Sequence, residues 1–250
     1  MPGCLSHKNY EPMRLCILLS FLLFSLCSWS GKEQKTIKAS GRILTEERSA
    51  KAFTAIAVSE GINLYLSCGD RHSITVKTDD NILPYLKTEV QGNTLKIYFP
   101  EDIQVKAHSS SEVYVTLPQL EELTASTGAM IKSNQLIQAK NIELKASTSG
   151  LLTLDLEASL VKVSATTSGD IYLKGKADKL DAQLSMNGNL NAVDLPVKFA
   201  NIKETSGSKA TLYVSEQLEF YVREADLIYK GDPEIISHKL RGANITKMIR

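Results

Sequence analysis

The sequence has few aromatic residues, few cysteines and no excess of either charge. Phe, Trp and Tyr make up 6% of its 250 residues, and 29 basic side chains nearly balance 28 acidic ones, for a net charge of +1. Balanced charge gives no field that would favour nucleic acid or an acidic membrane surface. Sparse aromatics suit thin layers filled by Leu, Ile, Val and Ala better than a thick globular core.

Signatures of catalysis, metal binding and cofactor binding are missing as well. The sequence contains no phosphate-binding loop, no Gly-x-Ser-x-Gly and no dinucleotide fingerprint. His72, His108 and His238 are far apart and lack a carboxylate at ligand spacing. The calcium-binding Gly-Gly-x-Gly-x-Asp of β-roll proteins does not occur. We therefore predict no catalytic residue, no metal ligand and no cofactor.

An apolar run of twelve residues, 15–26, follows Arg14. A membrane-spanning helix needs about 20 apolar residues, whereas a signal-peptide core has this shorter length. We predict a signal peptide at residues 1–30, with Met13 as an alternative start, and export to the periplasm, the outer-membrane surface or the medium.

The cysteines agree with export without disulfides. Cys4, Cys16 and Cys27 precede the predicted cleavage point, so the mature chain keeps only Cys68, which cannot form an internal bridge. Cys27 leaves open a lipoprotein in which this cysteine is acylated, although the preceding 24–26, Phe-Ser-Leu, fit that signal poorly. A membrane tether is expected only in that case.

After a polar segment at residues 31–50, interpreted as a linker, the sequence alternates apolar and polar residues in short runs typical of β-strands. Residues 86–99 predict a hairpin around Gly92. The atypical, aromatic-rich stretch from Phe220 to Ile245 near the C-terminus predicts a cap over the last repeat.

A Ser/Thr/Asn-rich turn closed by glycine occurs five times. Its glycines are Gly128, Gly150, Gly169, Gly188 and Gly207, which lie 22, 19, 19 and 19 residues apart. A fixed period of this size in strand-like sequence indicates stacked β-coils. We predict an all-β, right-handed parallel β-helix with about 19–22 residues per coil, in which each glycine takes a positive φ at a corner.

The segment that precedes the repeats resembles a known family. Three segments carry the resemblance: residues 53–66, which contain Gly61-Ile62-Asn63, residues 76–83 and residues 88–97. Together with the glycine turns and residues 227–233, they resemble the GIN domain, a domain of unknown function common in Bacteroidetes and labelled an auto-transporter adhesin head. The resemblance covers residues 51–250 and implies an exported β-helical protein. We interpret Gly61 and Asn63 as turn residues.

Three functions remain open at this stage. The preferred one is a non-catalytic adhesive or structural module whose partner is a surface protein or a glycan. A β-helical carbohydrate lyase or hydrolase is the second, but Asp155, Asp170, Asp181 and Asp194 share no repeat position and hence no obvious face. The third is a periplasmic sensing or assembly module. Nucleic acid is not an expected partner.

Overall fold

The structure is a computed structural model that describes residues 34–106 and 111–249. The predicted signal peptide and Cys27 lie outside these ranges. The described residues form strands and turns, without a helix. The first nine strands are β1 (Lys35–Lys38), β2 (Ile43–Arg48), β3 (Ala55–Val58), β4 (Asn63–Cys68), β5 (Ser73–Asp79), β6 (Lys87–Gln91), β7 (Thr94–Tyr98), β8 (Ile103–Lys106) and β9 (Glu112–Leu117).

The remaining strands belong to the repeats. They are β10 (Glu122–Ala125), β11 (Met130–Ser133), β12 (Ile137–Ser147), β13 (Leu151–Thr166), β14 (Asp170–Ser185), β15 (Asn189–Thr205), β16 (Lys209–Arg223), β17 (Asp226–Lys230), β18 (Glu234–Arg241) and β19 (Asn244–Lys247). The strands from β12 to β16 are long because each bends around the coil without leaving the ladder.

Each repeat forms one coil of a parallel stack. β13 pairs in parallel with β12 and β14, and β15 pairs in parallel with β14 and β16. Pairing advances by one repeat per coil, so that Leu152 lies beside Ile171 and Ile171 beside Leu190. The stack has about seven turns. The predicted β-solenoid is confirmed.

Alternation along the strands fills the interior of the stack. In β13, Leu152, Leu154 and Leu156 are buried while the residues between them are exposed or half-buried. Equivalent residues of successive coils lie about 4.8 Å apart, so each buried side chain packs on the same position above and below. Burying a Leu in this way stabilises the fold by about 1.5–3 kcal/mol.

The N-terminal end of the stack is built differently. β3 and β4 continue the parallel ladders by pairing with β10 and β11, but β5 pairs antiparallel with both β9 and β2. β6 and β7 form the predicted hairpin, antiparallel, with Gly92 at a φ of +63° in its turn. These antiparallel strands end the regular coil stack on this side.

Residues 34–50 differ from the predicted linker, because they contain β1 and β2. β1 pairs in parallel with β8, and β2 pairs with β5 along its whole length. Five of the six side chains of β2 are exposed, so the strand has no apolar alternation by which it could be recognised. Its backbone pairing, rather than side-chain burial, holds it in the sheet.

The aromatic-rich C-terminal stretch forms the last described coils of the stack. Phe220 is buried within β16, and Tyr229 lies in β17 against the core. β18 and β19 pair beyond these strands, with β16 and β17 respectively. Phe220 and Tyr229 therefore pack against the interior of the stack, whereas Tyr221 is 37% exposed on its outer surface.

Candidate functional site

The corners of the coils are four-residue turns stacked in one row. In each, the amide of the fourth residue donates to the carbonyl of the first, over 2.9–3.4 Å, and the two central residues have positive φ, which is the geometry of a type I′ turn. The turns span residues 59–62, 126–129, 147–150, 166–169, 185–188 and 205–208. All of the corner glycines named from the sequence lie in them.

These glycines occupy two different positions in the turn. Gly61, Gly128 and Gly207 are third residues with φ of +68°, +74° and +74°, as expected. Gly150, Gly169 and Gly188 are fourth residues, outside the positive-φ region, and for them the expected reason is wrong. A Cβ atom added at any of these three positions would lie 2.0–2.2 Å from a carbonyl oxygen of the preceding coil. Glycine is therefore required there by the close approach of the two backbones.

Backbone hydrogen bonds, rather than hydroxyl groups, join one corner to the next. Ser149 donates its amide to the Thr167 carbonyl at 3.1 Å, and Ser168 donates to Met186 at 2.9 Å. The side chains of these residues are exposed. Asn63 follows its corner as the first residue of β4, and its amide donates to the Ser111 carbonyl at 2.9 Å. The corner row therefore sets the winding and assembles no reactive group.

A flat outer surface carries tyrosines in one column of the ladder. Tyr65 pairs in register with Tyr114, and their rings stack with centroids 5.1 Å apart and planes at 20°. Lys132 and Thr153 follow in the same column, and Tyr172 comes next. Tyr114 is 38% exposed and Tyr172 is 41% exposed.

Two half-buried apolar side chains lie beside this column. Met130 and Leu151 are paired in register with one another, two positions before Lys132 and Thr153 on the same outer surface. We call Tyr65, Tyr114, Tyr172, Met130 and Leu151 the tyrosine face. Sequence reasoning missed it because Tyr65 and Tyr114 meet only through the pairing of β4 with β9.

A carboxylate fixes one edge of the tyrosine face. The Tyr114 hydroxyl donates to Glu112 Oε2 at 2.8 Å, and Lys77 Nζ approaches the same oxygen at 3.1 Å. The Tyr114 hydrogen bond and the Lys77 ammonium lower the pKa of Glu112, and the bond to Glu112 raises the pKa of Tyr114. The Tyr114 ring is therefore held in place on the sheet.

A polar groove of about 480 Å³ lies on another surface of the coils, over β12 to β15. On its margin Lys145 Nζ lies 2.9 Å from a carboxylate oxygen of both Glu122 and Glu143. These two hydrogen bonds raise the pKa of Lys145. Glu122 and Glu143 occupy paired positions on adjacent coils, and no sequence pattern predicts their proximity.

The four aspartates considered for a carbohydrate enzyme lie in three different columns of the ladder. Asp155 forms an ion pair with Lys174 at 2.9 Å, and Asp181 one with Lys179 at 3.2 Å. Asp170 accepts a hydrogen bond from the Asn189 side chain at 3.2 Å. Asp194 lies beside the same Lys174 in register, so Asp155 and Asp194 flank this lysine from the two adjacent coils. The structure does not gather these four residues into one cleft.

Other chemistry-bearing groups are isolated in the described structure. Among residues 34–106 and 111–249, no group of three or more His, Cys, Asp or Glu side chains is placed to hold a metal ion. Cys68 is a free, half-buried thiol. The same ranges contain no helix with the length and hydropathy needed to cross a membrane.

One buried carboxyl group stands out in the interior. Glu204 points inward, in the column where neighbouring coils place Leu184 and Val222, and it is fully buried. Burial raises its pKa to about 8, an effect that the Ala210 amide opposes and the Asp226 carboxylate increases. The Ala210 amide lies near this carboxyl group, but in the described part of the chain neither carboxyl oxygen accepts a hydrogen bond of normal geometry. The side chains around Glu204 leave no opening to solvent, so it belongs to the core.

Comparison with known proteins agrees with this architecture. A putative adhesin from Bacteroides fragilis superposes with a TM-score of 0.80 at 20% identity, over 85% of this chain and all of that one. A putative adhesin from Parabacteroides merdae gives 0.70 at 18% identity, over 86% of this chain and 99% of that one. A putative lipid binding protein from Parabacteroides distasonis gives 0.68 at 21%, over 86% of this chain and all of that one. At these identities the likeness shows the fold alone.

A comparison with curated proteins finds no match. The family model described as putative auto-transporter adhesin, head GIN domain, matches residues 52–233. This stretch includes all six corners and every strand that carries the tyrosine face. The match covers well over half of the sequence, and the chain therefore belongs to the GIN-domain family of putative auto-transporter adhesins.

Proposed function

We propose that this chain is an exported, non-catalytic adhesin head that binds a protein ligand through its tyrosine face. The observation that carries the proposal is the column on an open sheet in which Tyr114 and Tyr65 are adjacent and Tyr172 lies three strands beyond Tyr65, after Lys132 and Thr153. Family membership supports an adhesive role and the signal-like residues 1–30 support export. A rigid rod made of ladders suits adhesion because its surface keeps its shape without a ligand.

The composition of the tyrosine face favours a protein as the ligand. Aromatic side chains and Met are enriched at the centres of protein interfaces, whereas charged residues are depleted there. Tyr supplies a large contact area with little loss of side-chain entropy. The stacked Tyr65 and Tyr114 rings face one another, so they offer edges and hydroxyl groups more than open ring faces, and a sugar platform requires open faces.

The polar groove over β12 to β15 suggests a carbohydrate enzyme as the alternative function. Glycoside cleavage needs two carboxyl groups in different roles, one as acid and one as base or nucleophile. Glu122 and Glu143 are adjacent, but both engage the single ammonium group of Lys145. Because the two carboxylates have the same partner, they have no distinct acid and base roles. This supports a structural ion-pair network in which Glu122 and Glu143 are not catalytic.

Adhesion can be measured with beads that carry the purified protein, on surfaces coated with collagen, fibronectin or mucin and on epithelial cell layers. We expect binding to at least one protein surface, retained after enzymatic deglycosylation. Tyr114→Ser and Tyr172→Ser should each weaken it by about tenfold, as expected for interface aromatics. Tyr221→Ser is the matched control, because Tyr221 is 37% exposed on a different surface of the coils.

Three results would contradict this proposal. Binding that disappears with deglycosylation would assign the ligand to glycans. Equal losses of binding in Tyr172→Ser and Tyr221→Ser would show that the tyrosine face is not the binding surface. Release of reducing ends from a polysaccharide panel, abolished by Glu143→Gln, would establish the enzyme instead.

A further inference from the structure

The last described coil exposes a strand edge. In the ladders of residues 34–106 and 111–249, β18 pairs with β16 alone and β19 with β17 alone. Ile236 and Leu240 are each 52% exposed on this end of the stack, and Ile235 is 38% exposed. A free edge with apolar side chains is a template on which another strand can pair.

A bulge in β18 determines which of its side chains face the interior. Ile235 lies over Leu218, and Leu240 lies over Val222, so both stand above core residues. The five-residue separation of Ile235 and Leu240 would put them on opposite faces of a regular strand. Ile236 is an extra residue, because Ser237 takes the next place in register, and it brings Ile235 and Leu240 to the same side.

The charged residues at the two ends of β18 face outward. Glu234 pairs in register with Gln217, and Arg241 with Arg223, on the outer surface of the coil. The described structure gives neither Glu234 nor Arg241 an ion-pair partner. The strand therefore has one unpaired negative end and one unpaired positive end.

These features make β18 complementary to itself. When the bulge counts as one position, an antiparallel copy of β18 places Glu234 opposite Arg241 of the second copy and Ile235 opposite its Leu240. Inner residues then face inner residues and outer residues face outer ones, as an antiparallel ladder requires. The two-fold axis passes at His238, whose ring lies 5.8 Å from that of Phe220.

We propose that two copies of this chain associate end to end through β18, in a two-fold symmetric dimer. The contact is isologous, so each complementary pair occurs twice. It covers the exposed Ile235 and Leu240 with apolar surface and gives the free backbone groups of β18 partners. The continuous ladder would double the length of the rod and place two tyrosine faces on one particle.

The occupant is a second copy because the charges match at both ends of one strand. An unrelated strand would need an acidic and a basic residue at the same separation, with apolar residues just inside them and a compatible bulge. β18 supplies all of these to its own copy. Cross-strand pairs of opposite charge and of apolar residues each stabilise a ladder, and like charges in these positions destabilise it.

Sedimentation equilibrium over a concentration series of the purified protein tests the proposal. We expect the mass to rise from one chain to two. Glu234→Arg and Arg241→Glu each place like charges opposite one another twice, and each should weaken dimerisation by at least about tenfold. Glu157→Arg is the control, since Glu157 is exposed in the middle of the stack, and it should leave dimerisation unchanged.

Mixing the two single variants gives a sharper result. A Glu234→Arg chain beside an Arg241→Glu chain regains opposite charges at both ends, so the mixture should form a heterodimer although each variant alone dimerises only weakly. The double variant, with both charges exchanged, should regain self-association. Thermal unfolding of each variant checks that it is folded.

A protein that stays monomeric throughout the concentration series overturns the proposal. A dimer that both single variants retain, or a mixture that fails to associate, would also overturn it, because either result removes the Glu234–Arg241 pairing from the interface.

Discussion

A Cβ atom added to Gly169 would lie 2.2 Å from the carbonyl oxygen of Ala146, in the preceding coil. Gly150 has the same relation to Ala125, at 2.2 Å, and Gly188 to Ala165, at 2.0 Å. Side chains do not tolerate such a distance to a backbone oxygen. The corner thus approaches the neighbouring coil so closely that only glycine fits at the fourth position of these turns.

Gly169→Ala should therefore destabilise the protein although alanine is small. The added methyl group must displace the Ala146 carbonyl, which belongs to a parallel ladder, and we expect a loss of about 2–4 kcal/mol in the free energy of unfolding. Gly169→Val should lose at least as much. Urea unfolding of the wild type and both variants measures the effect.

Gly128→Asn is the matched control in another corner. A Cβ at Gly128 would meet no atom within 4 Å, and only its φ of +74° restricts the residue. Asn tolerates the left-handed region better than other side chains, and Asn187 occupies the equivalent position with a φ of 61°. We expect a loss below about 1 kcal/mol. Equal losses in Gly128→Asn and Gly169→Ala would refute the distinction between the two kinds of corner glycine.

The winding of the chain could be predicted from sequence because its signals are local. The spacing of the glycines equals the length of one coil, and the alternation of apolar residues occurs within each strand. Both signals recur in every repeat. The two glycine positions could not be separated, since a shift of one residue in a turn changes the reason for glycine from φ to close approach without changing the motif. Gly128 and Gly150 look alike in sequence.

The tyrosine face depends on register between distant strands. Tyr65 and Tyr114 are neighbours only because β4 pairs with β9, across a segment that contains β5 to β8. β2 was missed for another reason, since its side chains are mostly exposed and leave no pattern. Glu204 also gave no signal, because its sequence neighbours follow the normal alternation and nothing local marks it as the inward-facing residue.

Glu204 should make stability depend on pH. Its pKa is raised from 4.5 to about 8 in the folded protein. Above pH 4.5 the unfolded chain releases a proton that the folded chain keeps, so the stabilisation present at low pH is lost as the pH rises through about 8. The free energy of unfolding should fall by about 1.4 kcal/mol for each pH unit across that window.

Glu204→Gln removes the ionisation and keeps the shape of the side chain. Its stability relative to the wild type should rise by about 4 kcal/mol between pH 5 and pH 8, as measured by urea unfolding at both pH values. Glu157→Gln is the control, because Glu157 is exposed and the substitution should leave the pH dependence of the wild type. A wild-type protein with the same pH dependence as Glu204→Gln would show that Glu204 is not buried in solution.

Lys145 should hold two coils together through the carboxylates of Glu122 and Glu143. Lys145→Met leaves those carboxylates adjacent without the shared ammonium group, and since the Lys145 side chain is 39% exposed, we expect a loss of only about 0.5–1 kcal/mol at low salt. The loss should shrink at about 1 M NaCl, where the Debye length is about 3 Å. Lys132→Met is the control, because Lys132 has no ion-pair partner in the described structure.

The pH dependence of this ion pair follows from the pKa of Lys145, which is raised from 10.5. The stabilisation that Lys145 contributes is therefore complete at neutral pH and is lost only as the pH rises above 10.5. A loss that is the same in low and high salt would assign the effect of Lys145 to packing of its aliphatic chain.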